Sequence, residues 1–222
     1  MTWRVRGLAQ HAGDVLRCWK ACVRRYLRGL GSVFSKTDFW PAAHAGNAAR
    51  TFAWWFAPAY IAALLFEHAP STCKQSYLCR AAEQGISPEL WNVLGCLGVA
   101  LLGLAALVPS CRMVAKMANK VLANTYSIGC LSLGLVTGKA SQSLTEANVI
   151  AWRDWLGGIS VLALIVVLVA MNGVVWYMSF LAGDDDRPSP VLRKWSSHDV
   201  MRRMPVALVL IILPLYCLLK SR

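Results

Sequence analysis

The chain has 222 residues, 57% of them hydrophobic and only 15% charged, and its 23 Lys and Arg against 11 Asp and Glu leave a formal net charge of +12. A soluble domain is about one quarter charged and cannot hide so large an apolar fraction. A disordered chain is polar and poor in aromatics, whereas 10% of these residues are aromatic. The composition predicts an all-α integral membrane protein: a bundle of about five transmembrane helices preceded by a basic amphipathic N-terminal helix.

Residues 1–50 are rich in Arg and poor in acid. Leu8, Val15, Trp19, Cys22, Val23, Tyr26 and Leu30 recur at intervals that gather them on one helical face. Arg17, Lys20, Arg24 and Arg28 line the opposite face. Such a segment suits a mitochondrial transit sequence, a helix lying on an anionic leaflet, or a docking helix on a larger complex. It is expected to be retained, which favours the last two. The charged start is unlike a secretory signal, and the sequence holds no Asn-x-Ser/Thr sequon.

Five apolar runs follow: 51–66, 90–108, 121–138, 155–182 and 204–219. A span needs about 20 apolar residues, with a range of about 17–25. The first and last runs are short and are expected to borrow turns from their flanks, with Arg50, Arg202 and Arg203 snorkelling to the interface. The third run is the most polar. Hydrocarbon leaves only helices or closed barrels, and continuous apolar runs are not barrel strands. Pro58 and Pro214 predict kinks.

With five spans and the N-terminus inside, the inner segments carry nine, three and five Lys and Arg and the outer ones two each, so 17 of the 23 lie on one side. This agrees with the positive-inside rule. If the third run did not cross, the division would be 16 against 7, so charge alone leaves the count open. Trp91, Trp152 and Trp155 fall at predicted helix starts and Trp176 and Tyr177 near an end, where amphipathic rings anchor at the interface.

Of the eight Cys, Cys73 and Cys79 share the 67–89 loop on the cation-poor side. A disulfide between them is feasible if that side is oxidising and the chain turns between them. Nothing has the spacing of a zinc site. Between the fourth and fifth runs, Asp184, Asp185 and Asp186 form the sole acidic run. They are expected to sit in a solvated loop pairing with Arg187, Arg193 or Lys194. Ser197 is expected to cap the fifth span.

The apolar runs contain no Asp, Glu, Lys, Arg or His. Intramembrane charges mark proton relays, ion paths and voltage sensors, so those classes are disfavoured, as is a haem held between helices by His. Asn124 and Asn172 are the strongest polar groups inside and are expected to bond between helices. Gly134-x-x-x-Gly138 has the spacing that lets helices approach closely. No nucleophile elbow, phosphate loop or dinucleotide fingerprint occurs, so no catalytic residue, metal or cofactor is expected beyond bound phospholipid such as cardiolipin.

In composition the chain resembles accessory subunits of mitochondrial inner-membrane respiratory complexes or ATP synthase: small, basic, Trp-rich and without catalytic residues. The resemblance implies a structural subunit of an oxidative-phosphorylation complex, multi-pass in the inner membrane with its N-terminus on the matrix side. Expected partners are other membrane subunits and anionic lipids, not nucleic acid. The basic residues expected to meet lipid are Arg17, Lys20, Arg24, Arg28, Arg202 and Arg203. The competing reading is a small transporter or channel for a neutral or anionic solute, its helices broken near Pro58 and Pro214.

Overall fold

A computed structural model of the protein describes residues 34–67, 88–146, 152–183 and 189–220, together with Lys20 and Arg24. The chain divides into two units, residues 1–40 and 41–222. In the first, Lys20 and Arg24 are helical and exposed, one turn apart on the same flank; Arg17 and Arg28 lie outside the described residues. A short 3-10 turn, Lys36–Phe39, is closed by a capping box: the Ser35 N–H donates to Asp38 Oδ2 at 2.7 Å and the Thr37 N–H to Ser35 Oγ at 3.4 Å.

The second unit consists of α1 (Ala42–Glu67), α2 (Pro88–Leu107), α3 (Arg112–Glu146), α4 (Trp152–Ala182), α5 (Pro190–Trp195) and α6 (Val200–Lys220). Among the described residues all regular structure is helical, and α2, α3, α4 and α6 are long and apolar enough to cross a membrane. The chain is therefore a membrane-embedded, all-α protein. Four of the about five expected spans coincide with these helices, and α1, which holds the first apolar run, is not among the four. At 26 residues α1 is long enough. Its composition falls short: Arg50 precedes the apolar run, and Trp54, Trp55 and Tyr60 within it each carry a polar group. The third apolar run, polar as it is, lies within the 35-residue α3 and does qualify.

The two short runs are extended as expected. α1 begins upstream of Arg50, and α6 begins upstream of Arg202 and Arg203. Pro58 and Pro214 lie inside helices that continue past them. Ser197 serves a different helix end from the one expected: its Oγ donates to the Lys194 carbonyl at 2.6 Å, beside the end of α5. Asp199 stands before α6 instead, its carbonyl accepting the Arg202 and Arg203 N–H groups.

Contacts along the helices define their directions. Tyr126 OH donates to the Ala48 carbonyl at one level, and Tyr60 OH to Ser141 Oγ further along, so α1 and α3 run parallel. Leu122 meets Gly98 while Trp91 meets Gly129, so α2 runs against α3. Asn172 meets Tyr126 and Cys130 while Ser179 meets Asn119, so α4 also runs against α3. The α6 segment Ala207–Ile211 crosses α2 at Gly103. The main contacts make a row, α6 on α2, α2 on α3 and α3 on α1, with α4 packed against α3.

Small residues make the approaches possible. A Cβ at Gly134 would meet the Phe56 carbonyl oxygen and would lie 2.8 Å from Ala59 Cβ; one at Gly138 would lie 2.6 Å from Ala63 Cβ. The α1 backbone thus rests directly on α3. Where α2, α3 and α4 converge, Leu122, Tyr126, Cys130 and Val175 are buried together, and Phe52, Trp91 and Trp176 cover them.

Candidate functional site

α1, α3 and α6 begin at the end of the unit where α2 and α4 finish. Arg112, Lys116 and Lys120 recur every four residues along the start of α3, and all three are exposed. At the same end lie Arg50, Arg193, Lys194, Arg202 and Arg203, whereas Lys139 and Lys220 lie toward the other.

Within this basic end is a cavity of about 860 Å³. It is enclosed by the start of α1, the N-terminal half of α3, the end of α4 and the start of α5. The local fold explains why the helices part here. α4 stops at Gly183, whose φ of 97° is the left-handed conformation that ends a helix and favours glycine. Ser189 then ties the returning chain back: its Oγ donates to the Leu181 carbonyl at 2.6 Å and accepts the Leu192 N–H at 3.0 Å, capping α5. That anchor holds Arg193 against the cavity, which Arg112 at the start of α3 also lines. His44 closes part of the wall, its ring centroid 5.3 Å from that of Phe180.

The lining is rich in hydrogen-bond donors. Arg112 and Arg193 contribute guanidinium groups, and both residues are exposed. Asn47, Asn119 and Asn124 contribute amides. Ser179 Oγ donates to Asn119 Oδ1 at 2.6 Å, which turns that amide so that its NH2 remains a donor. Ser127 spends its hydroxyl proton on the Ala123 carbonyl. Tyr126 reaches across to the Ala48 carbonyl and joins α1 to α3 at the inner limit of the space. None of the lining residues described is Asp or Glu. An array of this kind suits an anionic or strongly hydrogen-bond-accepting ligand, and its size lies in the range of about 300–1,000 Å³ typical of small-molecule sites.

The residues singled out from sequence are distributed as follows. Gly134 and Gly138 lie against α1. Asn172, only 2% exposed, donates to the Tyr126 carbonyl at 3.3 Å and to Cys130 Sγ at 3.2 Å, bridging α4 and α3. Its Oδ1 has no hydrogen-bond partner, and neither does Trp91 Nε1 nearby; both crowd Gly129. Asn124, by contrast, is exposed and lines the cavity. Arg202 and Arg203 occupy the first turn of α6, Arg202 exposed and Arg203 half-buried, and neither lines the cavity. Cys73, Cys79 and Asp184, Asp185 and Asp186 lie outside the described residues. Among the described residues no group of three or more metal-ligating side chains occurs.

Sequence reading missed Asn47, Arg112, Asn119, Ser179 and Arg193 as one site. A signal existed: Arg112, Asn119, Ala123 and Ser127 are spaced seven, four and four apart, which is one helical face. Scans of the chain against protein-family models, curated proteins and solved structures give no match.

Proposed function

We propose that the protein is a non-catalytic accessory subunit of a larger membrane assembly, an oxidative-phosphorylation complex of the mitochondrial inner membrane. In this reading α1 crosses as a fifth span beside α3, and the basic end faces the matrix. Partner subunits and anionic lipid, cardiolipin included, cover the remaining surface. The observation that carries the reading is the open row of helices. α4 and α6 bury little of themselves in their own unit, and Leu162, Val166, Val209 and Leu213 are among the large apolar side chains they expose. Such faces have room for further helices. The parallel packing of α1 on α3 supports the fifth span, and the crowding of cations at one end supports the orientation.

Extraction in a mild detergent followed by native electrophoresis tests this. The expected result is co-migration with a large assembly and recovery of respiratory-chain or ATP-synthase subunits with it. A chain that runs alone near its own 24.4 kDa overturns the reading.

The cavity favours a second reading, a small transporter for a neutral or anionic solute. Flux through liposomes carrying the purified chain, abolished by bulky substitution at Asn119, would support it.

A further inference from the structure

We propose that the cavity at the basic end binds a phosphate-bearing headgroup, and that its source is an anionic membrane phospholipid. The proposal needs only a membrane-embedded chain and stands whether or not the protein is a subunit of a complex.

Depth is the first argument. The span within α3, Arg112–Ser141, has 30 residues and is about 45 Å long, whereas the hydrocarbon core is about 30 Å thick. The surplus places the first turns of α3, and the cavity they line, among the headgroups. Chemistry is the second. Arg112 and Arg193 approach from separate elements, and a guanidinium fork matches phosphate oxygens in pairs. The Asn119 amide, held by Ser179, adds a neutral donor deeper in the wall. Size is the third: the space exceeds a lone phosphate and leaves room for the alcohol esterified to it. Finally, α1 and α4 expose Trp54, Trp55 and Val174, apolar surface for acyl chains.

A basic pocket between membrane helices is a known way of holding an anionic headgroup. A water-soluble phosphate ester offers the same oxygens, so the two sources must be separated by experiment.

The full chain is purified in a neutral detergent. Native mass spectrometry and a thermal shift then follow titration with phosphatidylglycerol, phosphatidylcholine or glycerol 3-phosphate. Phosphatidylglycerol is expected to bind saturably, and phosphatidylcholine at least tenfold more weakly. The double variant Arg112→Gln with Arg193→Gln is expected to lose tenfold or more in phosphatidylglycerol affinity. The double variant Lys116→Gln with Lys120→Gln removes the same charge from the same end but not from the cavity, and is expected to stay within twofold. Asn119→Ala should weaken binding several-fold. Its unliganded melting point serves as the check that the fold survives. Equal losses in both double variants would mean diffuse surface charge and would overturn the site. So would the absence of saturable phosphatidylglycerol binding. Arginine-dependent binding of glycerol 3-phosphate alone would overturn the lipid source and assign the cavity to a soluble phosphate ester.

Discussion

Glycines in this chain differ sharply in what surrounds them. A methyl at Gly134 would collide with the α1 backbone, whereas nothing lies within 4 Å of the Cβ position at Gly157 or Gly173. Gly134→Leu should therefore cost about 1–3 kcal/mol through overpacking, read as a lower unfolding midpoint in detergent. Gly157→Ala and Gly173→Ala should change it by no more than about 1 kcal/mol, since only helix propensity is altered. Gly129 makes a more discriminating case. Its Cβ would lie 2.7 Å from Asn172 Cγ and 2.8 Å from Trp91 Nε1. Asn172→Ala alone should cost about 0.6–2 kcal/mol for the lost interhelical hydrogen bonds. Combined with Gly129→Ala it should cost less than the two singles added together, because the crowding amide is gone; strict additivity would refute the contact.

At the scale of the helix, the attachments are few and specific. α6 meets α2 at Gly103, where a Cβ would come within 2.9 Å of Leu210 Cβ and Ile211 Cγ1. Gly103→Leu should loosen α6 while leaving α1 on α3. Hydrogen exchange should then rise along 200–220 and stay unchanged along 51–66 and 121–138. Loss of protection in all three segments would mean the row unfolds as one piece. The helices themselves were legible in the sequence because hydrocarbon tolerates little else than uninterrupted apolar helix. Their ends were less so. Turns outside the apolar core, such as 42–50 or 112–120, carry polar residues, His44, Asn47 and Arg50 or Arg112, Lys116, Asn119 and Lys120, so hydropathy alone ends the helix too soon. The cavity was hidden for the same reason. Asn119 and Ser179 are 60 residues apart and become partners only when α3 and α4 run antiparallel.

For the whole molecule, the charge asymmetry that was readable from loop counts reappears as a physical end of the second unit. Cys111, exposed in the short link before α3, marks that end; Lys220, closing α6, marks the other. In sealed vesicles holding the protein in one orientation, an impermeant thiol reagent should reach Cys111 from one side only. A cysteine introduced by Lys220→Cys, in a chain whose native cysteines are replaced, should be reached from the opposite side only. Labelling of both from the same side would refute the alternation of helix directions. The row is where reasoning from sequence stopped: spacing and charge order helices along the chain, but which neighbour each one chooses depends on surface shape, here on small residues matched to an opposing backbone.

The parallel pairing of α1 with α3 has a consequence for how the chain is made. Two helices that run the same way cannot be joined by a tight turn, and all of α2 is synthesised between them. At about 5–20 residues per second, on the order of ten seconds separates the end of α1 from the end of α3. For that interval α1 waits without the glycine groove it is shaped to fill. The face of α1 that rests on α3 therefore stays uncovered by it until Gly134 and Gly138 have been made.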